Sequence, residues 1–275
     1  MEIVKKTQEC AYNINAKNSI CMDDATLNQI RKFANSQKNI KSTDPTDVIK
    51  KLKNLYDCKT EVCVLNKSEV LENIGESNIK EQLDTRYKPE GPHDSSDWFS
   101  NHNIDNVLVQ IAKKPKNKDF LHIFFQMRDF EKYNTKLANM DFAQKYKEGF
   151  RRFGVVFNTD YSSGKGQHWF AVYGDFTKEP FTIEYFNSTG DNPLPELVSW
   201  MTKVKHHMSK VLKKKVNDVV VSKNANQKDN HSCGSYSLFY IISRLNDVPY
   251  KYFTNTIIGD TLMHEFRKNL FRHGD

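Results

Sequence analysis

One short stretch divides this chain of 275 residues into two parts of different character. Residues 88–96 read KPEGPHDSS, and their two prolines, one glycine and two serines are typical of a connection between domains. Before this stretch, residues 25–36, 46–56 and 68–74 have apolar residues at helical spacing with polar breaks between them. After it, apolar strand-like runs alternate with helical patterns. The sequence therefore predicts a small helical arm domain over residues 1–85 and a larger core domain over residues 86–275.

The larger part contains the patterns of both strands and helices. Apolar runs of strand length predict strands at residues 120–127, 154–158, 168–173, 181–186 and 217–222. Helical spacing predicts helices at residues 97–113, 193–215 and 233–245. Short turns between neighbouring strands favour antiparallel pairing. We therefore predict an α+β core, in which helices flank a mixed or antiparallel-leaning sheet.

Cysteine content and hydrophobicity favour an intracellular protein. The five cysteines are odd in number and scattered, which argues against the disulfide framework of a secreted protein. No apolar run approaches the roughly 20 residues that span a bilayer, and the charged start MEIVKKTQEC lacks the apolar segment of a secretory signal. A reducing intracellular location is expected. Four of the cysteines are predicted to be buried structural thiols: Cys10, Cys21, Cys58 and Cys63.

The fifth cysteine, Cys233, occupies a position where a thiol can act as a nucleophile. It follows a polar loop, residues 224–232, and begins the run CGSYSLFYIISRL, whose apolar residues form a broad helical face. Free N–H groups and the dipole at a helix N-terminus stabilise a thiolate, so we expect the pKa of Cys233 to be lowered. Gly234 directly behind it allows other backbone to approach closely. A catalytic role also requires a base.

His168 is the histidine best placed to be that base. It begins the predicted strand HWFAVY, and the next strand, FTIEYFN, ends at Asn187. If the hairpin folds symmetrically about residues 177–178, His168 lies directly opposite Asn187, where Cβ atoms are roughly 4.5–5.5 Å apart. The Asn187 oxygen would then accept a hydrogen bond from the imidazole and orient it, as in Cys-His-Asn enzymes.

Three other residues compete for these roles. Strand alternation places Glu184 and Asp175 on the opposite face from Asn187, so neither is the natural partner of the imidazole. His231 lies two residues from the nucleophile and is a rival base, but its position in a loop suggests no partner that would orient it.

Gln227 supplies the remaining element of such a site. It lies six residues before Cys233 in the same loop. Its side-chain amide, together with the backbone N–H of Cys233, can donate to the oxygen of a tetrahedral intermediate. One such donor is typically worth about 10²–10³ in rate.

These residues together resemble the SUMO-protease and adenovirus-protease superfamily of cysteine peptidases. The matching residues are His168-Trp169 on a strand, Asn187 at the end of the next, and Gln227, five residues, then Cys233-Gly234. The runs FNTDYSSGKGQHW, IEYFNSTG and CGSYSLFYI are most similar to a viral, polyprotein-processing branch of that superfamily. The likeness covers residues 86–275 well and residues 1–85 only loosely.

The resemblance implies a fold, a substrate class and several residue roles. The fold would be SUMO-protease-like, a papain-like variant. The substrates would be viral structural polyproteins, cut after Gly-Gly-X during virion maturation, in the virion and the host cytoplasm. Trp169 would help form a narrow channel that admits only glycine, and Asn158 and Gly234 are expected to contact substrate. A His168 imidazolium and Cys233 thiolate would form an ion pair. No metal or other cofactor is expected, so activity should survive EDTA.

Two enzymatic alternatives stay open. The same chemistry would serve a deconjugase that removes SUMO or ubiquitin, although the Asn187 of the triad departs from the aspartate common among cellular deSUMOylases. Some bacterial effectors with this arrangement transfer acetyl groups, although no separate site for coenzyme A is evident. The segment SSGKG lacks the full spacing of a phosphate-binding loop, which excludes a nucleotide site of that type.

The positive charge leaves a non-enzymatic alternative. The net charge is +7, and because residues 1–85 contain 13 basic and 13 acidic residues, the excess lies in residues 86–275. One side of the predicted helix 193–215 carries six lysines, at positions 203, 205, 210, 213, 214 and 215. Such a face is usually only solvated, but it could bind DNA weakly and in a salt-dependent way.

Overall fold

The computed structural model describes residues 9–14, 20–92, 94 and 96–272. These residues form two compact units, which divide between Gly91 and Pro92. Residues 269–272 belong to the first, helical unit although they follow the second in the chain. The predicted boundary lay after residue 85. Residues 86–91 join the helical unit because Tyr87 pairs with Cys10 in a short β-bridge and Glu90 pairs with Arg272.

The helical unit is built on short, capped helices. The side chains of Asp23, Asp44 and Thr60 each accept a hydrogen bond from a backbone N–H of the first turn that follows them. Two helices, α3 and α5, were not predicted, since they are short or have little apolar spacing. The helices are α1 (Asp24–Lys38), α2 (Pro45–Tyr56), α3 (Glu61–Leu65), α4 (Ser68–Ile74) and α5 (Glu76–Arg86).

Two disulfide bonds in this unit correct the prediction of four structural thiols. Cys10 is bonded to Cys21 with Cα atoms 5.0 Å apart, and Cys58 to Cys63 with Cα atoms 5.6 Å apart. Both separations lie in the range that a disulfide requires. The odd total misled the prediction because the four cysteines pair among themselves and leave only Cys233 as a free thiol.

A mixed sheet forms the centre of the second unit. Its strand order is β1-β3-β4-β5-β6, and β2 also pairs with β3. The pairs β3–β4 and β4–β5 are antiparallel, whereas β1, β2 and β6 run parallel to their neighbours. The strands are β1 (Phe120–His122), β2 (Gln126–Met127), β3 (Arg152–Asn158), β4 (Trp169–Asp175), β5 (Phe181–Phe186) and β6 (Val216–Val220).

Helices flank this sheet, as the predicted α+β class requires. Apolar residues of α8, including Leu197 and Trp200, pack into one core cluster with Phe157, Phe170 and Tyr185 of the strands. Every residue of α9 is buried, including its three serines and Arg244, which fits the broad apolar face of this helix. The helices are α6 (Asn101–Ala112), α7 (Phe142–Lys147), α8 (Pro195–Leu212), α9 (Cys233–Leu245), α10 (Tyr250–Asn255) and α11 (Asp260–Lys268).

A buried ion network fixes α9 against the sheet. Arg244 donates from Nε to Glu184 Oε2 at 2.7 Å and from Nη2 to Glu184 Oε1 at 2.9 Å. The Tyr240 hydroxyl also donates to Glu184, at 2.6 Å, and Arg244 reaches Asp175 at 3.1 Å. Removing one partner of such a buried pair typically costs about 3–5 kcal/mol. The network therefore sets the position of the helix that begins at Cys233.

Strands β3 to β6 and helices α6, α8 and α9 follow the predictions to within four residues, whereas the short helices α7, α10 and α11 were not predicted. Strand β5 and helix α9 have the predicted bounds. The predicted strand 120–127 is instead two strands, because Phe120 pairs with Arg152 but Gln126 pairs with Phe157, an offset of one residue. A one-residue offset interrupts a ladder locally. Among the described helices, none combines the length and apolar character that crossing a membrane requires.

Candidate active site

His168 and Asn187 meet at the ends of β4 and β5. The imidazole Nε2 lies 2.7 Å from Asn187 Oδ1. The predicted contact is present, but the predicted register is wrong. Ala171 pairs with Phe186, so the turn is centred one residue later than predicted, and Asn187 lies diagonal to His168 instead of opposite it. A shift of two residues keeps both side chains on the same face, within reach of each other.

The surroundings of Asn187 determine which way its amide points. The backbone N–H of Thr189 donates to Asn187 Oδ1 at 3.1 Å, and Asn187 Nδ2 donates to the Tyr185 hydroxyl at 3.0 Å. Since a backbone N–H can only donate, the atom that faces His168 is the oxygen. The imidazole proton is therefore assigned to Nε2, which leaves Nδ1 of His168 able to accept a proton.

The Cys233 thiol lies at the start of α9 and is nearly inaccessible, with 2% of the residue exposed. The backbone N–H groups of Trp169, Gly234 and Cys233 itself lie close enough to the sulfur to lower the pKa of the thiol. Trp169 directly follows His168 in the chain, so this proximity places the sulfur near the end of β4 that follows the imidazole.

The electrostatics of the thiol correct the expectation of a lowered pKa. Burial raises the pKa of Cys233 above its ordinary value, and the three N–H groups only partly oppose this effect. The negative charge of Asp229 raises the pKa further. The helix start is thus not enough to form a thiolate here, because desolvation of the charge outweighs the backbone dipoles.

Burial acts on the base in the complementary direction. It lowers the pKa of His168 below 6.5, while the hydrogen bond to Asn187 and the charge of Asp191 oppose the shift. A raised thiol pKa and a lowered imidazole pKa both favour the neutral pair. In the free protein we therefore assign a thiol and a neutral imidazole, and not the ion pair expected from the sequence.

Gln227 is buried and held at both ends of its amide. Its Oε1 accepts from the Ser188 hydroxyl at 2.7 Å, and its Nε2 donates to the backbone oxygen of Asp229 at 3.0 Å and to Asp229 Oδ1 at 3.2 Å. Its backbone N–H donates to the Ser188 oxygen at 3.0 Å. The amide is therefore oriented by the loop, and an oxyanion role needs one of its two N–H bonds to turn away from Asp229.

The residues predicted to contact substrate have largely structural contacts. The indole of Trp169 donates to the backbone oxygen of Phe99 at 2.9 Å, and a methyl group on Gly234 would lie 2.7 Å from the Phe99 ring. Gly234 therefore allows Phe99 to pack at the start of α9. Asn158 is 2% exposed, and its Oδ1 accepts from the backbone N–H groups of Asp160 and Gln167. This burial argues against direct substrate contact by Asn158, which instead shapes the loop before His168.

Several residues that position the site were missed. Ser188 and Thr189 follow Asn187 directly, and their hydroxyls bind Gln227 and Asn187, respectively. Two small hydroxyl residues after a strand-ending asparagine were the available signal. Asp229 gave no such signal, because its partners are revealed only when the loop is folded. Its carboxylate accepts from the N–H of His231 and from both the N–H and the hydroxyl of Ser232.

The structure also bears on two rival interpretations, His231 as the base and the lysine face as a DNA-binding surface. His231 has the partner that the sequence did not suggest, since its Nε2 lies 3.5 Å from Asp229 Oδ2. Three of the six lysines proposed to bind DNA pair with acidic residues of the chain: Lys203 with Glu131, Lys205 with Asp218 and Lys214 with Glu179. Pairing reduces the positive charge that this face offers, and DNA binding stays a prediction.

Known viral proteases resemble this chain over nearly its whole sequence. No protein-family model matches the chain. The cysteine protease of African swine fever virus, from a tick isolate from Malawi, is 32% identical over 98% of this chain and 97% of that protein. A protein of a pig isolate from Kenya, called a SUMO-1 cysteine protease, is 32% identical over the same shares of the two chains.

The solved structures agree in fold. A crystal structure of the African swine fever virus protease matches with a TM-score of 0.84 at 30% sequence identity, covering 100% of this chain and 99% of that one. This match shows that the two proteins share one fold, and the mixed sheet with flanking helices confirms the predicted α+β class. Identity at this level over nearly the whole length shows common ancestry, so this chain belongs to the family of the African swine fever virus cysteine protease.

Proposed function

We propose that this cysteine protease cuts viral structural polyproteins after Gly-Gly-X sequences during virion maturation, in the virion and the host cytoplasm. Cys233 is the nucleophile, His168 its base, and Asn187 the residue that orients the base. Gln227 and the backbone N–H of Cys233 bind the oxyanion. The observation that carries the proposal is the 2.7 Å contact between His168 and Asn187, beside Trp169, whose backbone N–H lies close enough to the Cys233 sulfur to lower the pKa of the thiol.

The reaction begins from the neutral pair. Nδ1 of His168 takes the thiol proton as the sulfur of Cys233 attacks the carbonyl carbon of residue X, and the carbonyl electron pair moves to oxygen. Donors aimed at that oxygen lower the barrier most where water is excluded, as it is around the buried thiol. Collapse of the intermediate breaks the C–N bond, and the His168 imidazolium protonates the leaving amine. Water then hydrolyses the thioester by the reverse proton route.

Aromatic side chains crowd the surroundings of the Cys233 thiol, and this crowding limits which substrates can bind. Trp169 is 7% exposed, and the ring of Phe125 packs edge-on against it with centroids 6.1 Å apart. Phe99 fills the space beside Gly234. Aromatic walls close to the nucleophile leave little room for side chains next to the scissile bond, which supports a requirement for glycine there.

A second candidate, removal of SUMO, has one supporting observation. A relative with 32% identity is called a SUMO-1 cysteine protease. SUMO-type substrates also present a glycine pair to the enzyme, so the same crowded site would accept them. The two functions differ in what lies beyond the glycines: a folded modifier in one case and an extended polyprotein segment in the other.

Peptide cleavage separates these possibilities. Purified protein is incubated with peptides in which each position around Gly-Gly-X is varied, and with SUMO and ubiquitin fusions, and products are identified by mass spectrometry. We expect cleavage after X in Gly-Gly-X peptides, persistence of activity in EDTA, and little cleavage of the fusions.

Cys233→Ala removes the nucleophile and serves as the inactive control. It should reduce the rate of peptide cleavage more than any other substitution. Loss of the nucleophile typically costs about 10⁶ in rate, while a small side chain at the start of α9 leaves the fold intact. Cleavage by Cys233→Ala would disprove the mechanism. Preferential cleavage of the SUMO fusion by the wild-type protein would replace the polyprotein proposal with deconjugation.

A further inference from the structure

A group of three metal-ligating side chains lies outside the proposed triad. Asp229, His231 and His264 each offer a ligand atom, and these atoms all lie within 4.8 Å of one another. Nε2 of His264 is 2.9 Å from Asp229 Oδ2, and Nε2 of His231 is 3.5 Å from the same oxygen. The two imidazole rings are nearly parallel, with centroids 5.4 Å apart.

The sequence could not have indicated this group, because its members come from distant segments. Asp229 and His231 lie in the loop before α9, and His264 lies on α11. The packing of α11 against α9 closes the distance. His231 and Asp229 are each 16% exposed at the side chain, and His264 is 45% exposed. An ion can therefore reach the group from solvent without rearrangement of the core.

The charge around the group favours a cation. Asp229 supplies a carboxylate to the group, and its Oδ2 lies 2.9 Å from His264 Nε2 and accepts from the Ser232 hydroxyl at 2.6 Å. A second carboxylate, that of Asp260, accepts from the N–H groups of Lys228 and Asp229. Arg267 is the nearby cation that interacts with Asp229.

We propose that Asp229, His231 and His264 form a binding site for a first-row divalent transition metal, with zinc as the best fit. Two imidazoles and a carboxylate are a ligand set that zinc uses with a water molecule as the fourth ligand. Tetrahedral bonds of about 2.0–2.1 Å to nitrogen place ligand atoms about 3.3 Å apart. The distances of 2.9 and 3.5 Å to Asp229 Oδ2 bracket this value, and the ligand atoms of the two imidazoles lie within 4.8 Å of each other.

The site is connected to the proposed oxyanion loop through Asp229. The same carboxylate accepts from Gln227 Nε2 through Oδ1 and from the Ser232 hydroxyl through Oδ2. A metal at Oδ2 replaces the contacts with His264 and Ser232, while Oδ1 can keep its backbone donors. Metal binding therefore stabilises the loop that contains Gln227, and the ion takes no part in the chemistry of the thiol.

The test uses the full chain with Cys233→Ala, because a catalytic thiol and imidazole bind zinc on their own. Cobalt(II) is titrated into this protein, and its visible d–d absorption is followed, with zinc(II) as the competitor. We expect one cobalt ion per chain with the intense bands of a tetrahedral site, displacement by zinc, and a higher melting temperature in the presence of zinc.

Second substitutions in the same background assign the ligands. His264→Gln and His231→Gln should each weaken cobalt binding at least tenfold and remove the zinc-dependent rise in melting temperature, whereas His206→Gln, an exposed histidine of α8, should do neither. Circular dichroism of the metal-free variants checks that they are folded. Absence of cobalt binding in Cys233→Ala would overturn the site, and so would binding that both ligand variants retain. Because the background protein is catalytically inert, neither result depends on the proposed function.

Discussion

The two regions that meet at the Cys233 thiol are held in place by different means. His168 and Asn187 stand at the ends of paired strands, and the contacts of Asn187 come from its close neighbours Tyr185 and Thr189. The loop that carries Gln227 has no such ladder. It is held by two carboxylates, that of Asp229 within the loop and that of Asp260 about 30 residues later in the chain, together with two backbone N–H groups that donate to the Ser188 oxygen.

This difference determines how each region responds to change. A strand end retains its position when one side chain is removed, because backbone hydrogen bonds of the sheet maintain it. A loop held by a few carboxylate contacts depends on each of them, since hydrogen bonds to charged groups are worth about 1.5–3 kcal/mol. We therefore expect substitutions at the strand ends to change the chemistry, and substitutions around the loop to change the geometry.

Removal of the base should produce the larger loss among the strand-end residues. His168→Ala should reduce kcat/KM by about 10²–10⁴, the range that general acid–base catalysis supplies. His206→Ala, an exposed histidine on α8, should leave kcat/KM unchanged. His231→Ala distinguishes the rival base: a loss as large as that of His168→Ala would mean that the loop, and not the strand end, provides the base.

Removal of the loop amide should cost nearly as much. Gln227→Ala should reduce kcat by about 10²–10³ if its N–H binds the oxyanion. Asn224→Ala, which removes an exposed amide from the same loop, is the control and should have little effect. If Gln227→Ala changes KM and leaves kcat unaltered, the amide binds substrate and does not stabilise the transition state.

The orienting residue should show its role in the pH profile. Asn187→Ala should reduce kcat/KM by less than His168→Ala does, because the strand still holds the imidazole near the thiol. The bond from Asn187 raises the pKa of His168, so its removal lowers that pKa. With a neutral resting pair, activity requires unprotonated His168, and the acidic limb of the profile should lie below pH 6.5 and move to lower pH in the variant.

Asp191→Asn sharpens this test, because it removes a charge that also raises the pKa of His168 while leaving Asn187 in place. The acidic limb should again move to lower pH, with a smaller loss of activity. Movement of the alkaline limb in either variant would instead indicate an ion pair in the free enzyme.

The smallest effect is expected at Ser188. Its hydroxyl donates to Gln227 Oε1, the end of the amide that does not face the substrate. A net loss of about 0.5–1.5 kcal/mol per hydrogen bond corresponds to a reduction of roughly two- to tenfold in kcat for Ser188→Ala. A loss as large as that of Gln227→Ala would mean that the orientation of the amide depends on Ser188 alone.

The same contrast explains what the sequence could predict. The contact between His168 and Asn187 could be predicted because alternation along β4 and β5 determines which side chains share a face. An error of two residues in the register keeps both side chains on that face. The bounds of α9 could be predicted because its apolar residues form a broad helical face that must be buried. The contacts of the loop that carries Gln227 could not be predicted, since the carboxylates of Asp229 and Asp260 reach their partners only after α11 packs against α9.

Burial is the second quantity that sequence reasoning lacked. The start of a helix predicted a lowered thiol pKa, but the extent of desolvation at Cys233, which reverses the sign, depends on distant segments that pack at the start of α9, such as Phe99 beside Gly234. The disulfides of the helical unit were missed for a related reason. Pairing among Cys10, Cys21, Cys58 and Cys63 is determined by distances between chain segments, which their number and spacing do not reveal.

Covalent trapping tests whether the imidazole of His168 activates the thiol of Cys233. A Gly-Gly-X peptide that carries a vinyl sulfone in place of the scissile bond forms a stable thioether only when an activated thiol attacks it. Peptide mass mapping should locate one adduct at Cys233 in the wild-type protein, with the labelling rate reduced by about 10² or more in His168→Ala and unchanged in His206→Ala. Equal labelling of wild-type and His168→Ala proteins, or an adduct at any other residue, would contradict the claim.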